Sequence, residues 1–118
     1  MDADPVTAFI SALADVGITA EIRGPAVVYA VEAVEGGLVG QTVPTAVSTS
    51  ELAGWPAAAP HWVHFPSPVA FAHTNADTNE CLDGWSRHSR EIGSWSTDRP
   101  PIVVWLAHVR GIVAGAVA

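Results

Sequence analysis

Cys81 is the only cysteine in a chain of 118 residues, and the side chains best able to do chemistry crowd around it. From His73 to Ser96 the sequence reads HTNADTNECLDGWSRHSREIGSWS, with two of the five histidines and two of the five tryptophans. A cysteine thiolate combines the nucleophilicity to accept an acyl group with the leaving ability to release it. An ordinary thiol, of pKa about 8.5, is only a few per cent ionised at neutral pH. A nearby cation or hydrogen-bond donor raises that fraction, and Arg87 and His88 are the candidates. Glu80 and Asp83 act in the opposite sense, which suits a thiol that must not react indiscriminately. These acids and the polar run 73–79 point to an exposed nucleophile; the competing reading is a buried cysteine serving as a small hydrophobe.

The neighbours divide by role. Asn75 could offer its amide N–H to an oxyanion, a contribution on the order of 10²–10³ in rate when well placed, or it could close the loop as an Asx-turn. His73 reads as a residue that orients the loop by hydrogen bonds rather than as a general base. Asp83 either polarises an incoming amine or bonds the loop backbone, and the second role is the simpler. His88 is the rival actor, because a Cys81/His88 pair would make a hydrolase-type dyad. A zinc site from His73, Cys81 and His88 would have mixed ligands, none of the usual paired spacings and no evident fourth ligand. Trp85, set among polar residues with Arg87 close by, is the best candidate for a partner contact. The remaining tryptophans read as core. His61, His64 and His108 read as surface or core-edge residues.

A scaffold must hold this stretch. Asp4 as N-cap and Pro5 at the first helical position open a helix over 5–16, with Val6, Phe9, Ile10 and Leu13 on one face and Gly17 as its stop. Short strands are expected at 18–23, 26–34 and 41–48, separated by Gly24-Pro25 and Glu35-Gly36-Gly37 turns. Two more are expected around Trp62–Phe65 and Val69–Ala72, between prolines that stiffen the path. A last helix is expected near 100–114, capped by Asp98, with Ile102, Trp105, Leu106, Val109, Ile112 and Val113 as its apolar stripe. The segment joining Cys81 and His88 reads as irregular. Two helices flanking an antiparallel meander make an α+β class, in one domain spanning 1–118.

The bulk numbers exclude some functions. A net charge of −7 argues against a general nucleic-acid surface. A lone cysteine excludes an intramolecular disulfide. The acidic N-terminus and the lack of an eighteen-residue apolar run give no reason to expect a secretory leader or a membrane span, and a cytoplasmic setting is the default. All five basic residues are arginine. A compositional bias explains that most simply; avoidance of self-modification by a lysine-acylating system is the sharper explanation.

The order of motifs resembles the ubiquitin-conjugating enzyme (UBC-like) superfamily, and in particular its divergent bacterial members. Trp55-Pro56, the Val69-Ala70-Phe71 segment, His73-Thr74-Asn75, Cys81-Leu82-Asp83, Trp95-Ser96 and a closing helix stand in the family's order. The stretch Gly84-Trp85-Ser86-Arg87-His88 is similar to the bacterial members. Thr74 stands where the family's triplet has proline, the Asn75–Cys81 interval is about two residues shorter, and the family's last two helices have no counterpart. The resemblance implies a minimal UBC-like fold in which Cys81 carries a ubiquitin-like modifier as a thioester, with Asn75, His73 and Asp83 around it. It implies a ubiquitin-like protein and a ThiF-like activating enzyme as partners, in some cases a deubiquitinase-like peptidase, and a setting of the kind associated with antiphage defence. It also implies no metal or organic cofactor at this step, since the activating enzyme would consume the ATP. The alternative is a non-catalytic adaptor of the same fold that binds a ubiquitin-like protein or another partner.

Overall fold

The computed structural model describes residues 4–71, 75–93, 95 and 98–117. Helix α1 spans Pro5–Asp15. Its first turn is closed by Asp4, whose carboxylate accepts the Thr7 N–H at 3.0 Å and the Thr7 hydroxyl at 2.7 Å. These bonds satisfy an otherwise orphaned backbone donor. Phe9 and Leu13 are the fully buried side chains of its apolar face.

Five strands follow from Glu21 to Phe71. They are β1 (Glu21–Arg23), β2 (Ala26–Glu32), β3 (Thr42–Ser48), β4 (Trp62–Pro66) and β5 (Ala70–Phe71). A short 3-10 turn, Glu51–Gly54, lies between β3 and β4. Two more strands, β6 (Ala76–Asp77) and β7 (Trp85–Ser89), precede helix α2 (Pro101–Ala114) and the short β8 (Ala116–Val117). The main sheet is antiparallel, ordered β1-β2-β3-β4-β7-β6, while β5 and β8 form a separate two-stranded ribbon. The α+β class and the helix–meander–helix order are as the sequence implies.

Three expectations need correction. The segment joining Cys81 and His88 is not wholly irregular, because Trp85–Ser89 pairs with the whole of β4. The N-cap of α2 is Pro100 rather than Asp98, and its backbone carbonyl takes the first-turn N–H of Val103 at 3.0 Å. The strand at 70–71 joins β8 instead of extending the meander.

Both helices pack on one face of the sheet. Phe9 and Leu13 of α1 and Trp105, Leu106, Val109 and Val113 of α2 meet Val27, Tyr29, Val31, Val47, Val63 and Phe65 in one buried cluster. Burying each such side chain contributes about 1.5–3 kcal/mol, which makes this face the main source of stability. The Trp105 indole N–H donates to the Tyr29 hydroxyl at 2.9 Å, so both polar ends are satisfied in the core. Gly36, with φ of 87°, lets the β2–β3 connection pass against α2: a Cβ there would stand 2.2 Å from the Ala114 carbonyl oxygen.

The opposite face of the sheet bears the candidate chemistry. Ala26, Val28 and Ala46 are buried there beneath Leu82 and Trp85. The segment covering them is the one that carries Cys81.

Candidate functional site

Strand alternation decides which side chains can meet. His64 of β4 stands opposite Arg87 of β7, and Val63 stands opposite His88. Directly opposed residues share a face, and successive residues alternate. His64, Arg87, Trp62 and Trp85 therefore face away from the helices, while His88 and Val63 face them. On the other edge Asp77 pairs with Arg87 and Ala76 with His88, which puts Asp77 on the outer face as well.

The loop from Thr78 to Gly84 folds between β6 and β7. The Cys81 N–H donates to the Thr78 carbonyl at 3.2 Å, and the Asn79 N–H to the Asp77 carboxylate at 2.9 Å. A second turn runs Leu82-Asp83-Gly84-Trp85, closed by Trp85 N–H to Leu82 carbonyl at 3.0 Å. Gly84 supplies the positive φ, 81°, that its third position requires. At the third position of the first turn, Thr78-Asn79-Glu80-Cys81, Glu80 adopts φ of 59°. For a side chain longer than Asn or Asp this costs about 1–3 kcal/mol, so other contacts must hold it.

Those contacts come from a charged cluster that spacing alone did not expose. The Arg87 guanidinium, 12% exposed, bonds Asp77 at 2.7 Å, Glu80 at 3.1 Å and Glu51 at 3.2 Å. It also lies 4.0 Å from the centre of the Trp62 ring, a cation–π contact. The Ser50 hydroxyl donates to the Glu80 carboxylate. Glu51, 6% exposed at its side chain, is hydrogen-bonded to His64 Nε2 at 2.8 Å and accepts the Ser48 N–H at 2.8 Å. Burial alone would raise the Glu51 pKa, but the bonds from His64, Ser48 and Arg87 outweigh it and hold the carboxyl below its ordinary value. Arg87 likewise holds Asp77 low.

One guanidinium thus serves three carboxylates beside the thiol. Cys81 is half-buried. Burial pushes its thiol pKa up to about 11, and the charges of Glu51 and Asp77 push the same way against the opposing pull of Arg87. At that value about one thiol in 10⁴ is ionised at pH 7, far below the few per cent of a free cysteine. The acidic neighbourhood expected from Glu80 and Asp83 exists, but its strongest members are Glu51 and Asp77.

The remaining candidates fall in different places. His88 is 6% exposed on the helix-facing side, its ring 4.9 Å from that of Phe71 and 5.9 Å from that of Phe65. Burial, then the Arg90 charge, lowers its pKa. With the sheet between them, His88 and Cys81 do not form a dyad, which removes the thiol-hydrolase arrangement. Asn75 is exposed at the end of β6 away from the Cys81 loop, and its backbone carbonyl accepts the Ser89 N–H at 2.9 Å. Asp83 is exposed in the 82–85 turn. Trp85 is not in a polar loop: it is half-buried on β7 over Val28 and Ala46. Arg87 is turned inward to the carboxylates rather than outward. His73, with Thr74 and Ser96, lies outside the described residues. Among the described residues no group of three His, Cys, Asp or Glu side chains could hold a metal ion.

His64 was read as a surface or core-edge residue, yet it is fully buried. A signal for its partner was present in the sequence. Ser48-Thr49-Ser50-Glu51 has capping-box spacing, and the structure forms both reciprocal bonds, Glu51 N–H to Ser48 Oγ at 3.1 Å and Ser48 N–H to the Glu51 carboxylate. Two of the resemblance-bearing motifs also touch. The Trp95 indole N–H donates to the Pro56 carbonyl at 3.0 Å, and the Trp55 and Trp95 ring centres are 5.7 Å apart.

No family profile matches the chain, and neither a curated protein nor a solved structure matches it.

Proposed function

We propose that the protein is a small acyl carrier of the ubiquitin-conjugating kind, with Cys81 accepting a ubiquitin-like C-terminus as a thioester and passing it to an amine. The observation that carries this reading is the placement of Cys81. The only cysteine sits half-exposed on a loop tied at several points to the outer face of the sheet, in a setting that keeps the thiol protonated. Such a thiol is a poor target for stray electrophiles. It reacts well only when a partner brings an activated acyl group into register and takes the thiol proton. A ThiF-like activating enzyme is that partner by the resemblance, and it would also supply the ATP chemistry. The helix–meander–loop–helix order agrees with this reading, as does the contact between Trp55-Pro56 and Trp95.

A second reading is kept because two specific observations favour it. The thiol pKa of about 11, and the distance in the fold between the exposed Asn75 and the Cys81 loop, suit a non-catalytic adaptor with the same scaffold. Cys81→Ala separates the two. In the carrier it abolishes conjugation in the native host while the purified variant still associates with the modifier system. In the adaptor both binding and biological activity survive. Retained activity of Cys81→Ala therefore overturns the carrier.

A further inference from the structure

The residue just before the thiol is held by side chains from two other parts of the chain. Glu80 carries φ of 59° although a glycine would take that conformation without strain. Its carboxylate accepts from the Ser50 hydroxyl, at the entrance to the 3-10 turn, and from the Arg87 guanidinium on β7 at 3.1 Å. Arg87 is itself fixed by Asp77, by Glu51 and by the Trp62 ring. A glutamate at such a position makes sense if its carboxylate is needed, because the backbone conformation by itself favours glycine.

We propose that Ser50 and Arg87 are positioning residues for Cys81, acting through Glu80 to fix the peptide that presents the thiol. The proposal rests on the reading of Cys81 as the acyl-accepting residue and deepens it. The tie sets the direction in which the sulfur leaves the loop and keeps it half-covered until a partner engages. Ser50 and Glu80 act on the backbone that carries the thiol; Arg87 acts on it through its guanidinium on Glu80, while its backbone N–H also hydrogen-bonds the Cys81 sulfur. Releasing the tie leaves Cys81 in place but lets the loop sample conformations in which the thiol is more exposed and less uniformly presented. Reaction with small electrophiles then rises while productive transfer falls.

The test uses the full chain and reads Cys81 alkylation by iodoacetamide as a function of pH. Glu80→Gly removes the tie and also relieves the backbone, so the variant is expected to fold. Its alkylation rate at pH 8 should rise at least fivefold over wild type, with the midpoint of the profile shifted down. Ser50→Ala and Glu80→Gln should each give a smaller rise. The Ser50→Ala/Glu80→Gly double variant should match Glu80→Gly alone, because without the Glu80 side chain the Ser50 hydroxyl has nothing left to tie. A Glu80→Gly profile within twofold of wild type overturns the proposal, as does full additivity of the Ser50 and Glu80 changes. Thioester formation on the wild-type chain is scored separately in the native host, by a reductant-labile adduct. A shifted alkylation profile with no adduct on wild type overturns the carrier reading and, with it, any part of these residues in a reaction. An unshifted profile with an adduct overturns the positioning role alone.

Discussion

Glu51 controls the site at the level of single residues. It is a buried carboxylate whose charge raises the Cys81 pKa and which bonds both His64 and Arg87. Glu51→Gln keeps the shape and removes the charge. The Cys81 pKa should fall from about 11 toward the ordinary cysteine range, and the pH midpoint of alkylation should move down with it. The same change weakens charge-assisted bonds to His64 and Arg87, at a cost of about 1–3 kcal/mol in denaturant unfolding. The native Glu51 and Asp77 carboxyls both titrate below their ordinary values. A carboxyl depressed in the folded state contributes stability above its unfolded pKa, and that contribution is lost as pH falls through the folded one. Denaturant midpoints should therefore be insensitive to these groups at neutral pH and decline below about pH 4. Glu51→Gln should flatten part of that acid limb. An unchanged limb would mean that the Glu51 charge contributes nothing to folding.

Helices and strands differ in how far the sequence announced them. Helix α1 was legible because its cap, its proline and its 3.6-residue apolar period agree with one another. The α2 stripe was equally clear, and only its start was misplaced, since Asp98 looked a better cap than Pro100. Strands β2 and β3 declare themselves by β-branched runs. Strand β7, Trp-Ser-Arg-His-Ser, does not: it lacks an aliphatic residue, and its pairing with β4 depends on partners 19 to 27 positions away. The outer-face cluster was illegible for the same reason. Glu51 and Arg87 are 36 residues apart, and no local pattern joins them. Two glycines in the β2–β3 connection test the layer packing. Gly36 and Gly40 both have positive φ, 87° and 84°, but only Gly36 abuts α2. Gly40→Ala should cost only the backbone penalty of about 1–2 kcal/mol. Gly36→Ala should cost distinctly more, because the Ala114 backbone must move. Equal losses in thermal or denaturant melts would contradict the docking of that connection on α2.

Across the whole molecule the sheet separates two jobs. Its helix-facing side holds the large buried cluster, with His88 set among Phe65 and Phe71. Its other side holds the charged anchor and the Cys81 loop. Changes on one side should therefore leave the chemistry of the other alone. His88→Ala is expected to lower stability while leaving the pH profile of Cys81 alkylation where it is in wild type. A profile displaced by His88→Ala would show the two faces coupled and would return the histidine to consideration as a base. Among the described residues no helix is long and apolar enough to cross a membrane.

Acyl carriage at Cys81, as proposed, can be caught by an acyl trap. The Cys81→Ser variant is expressed in the native host and purified, and its intact mass is taken before and after mild alkali, which cleaves an oxyester. The carrier reading predicts a protein-sized, alkali-labile adduct that maps to position 81. An unmodified mass, together with a wild-type thiol that forms no reductant-labile adduct, would contradict it.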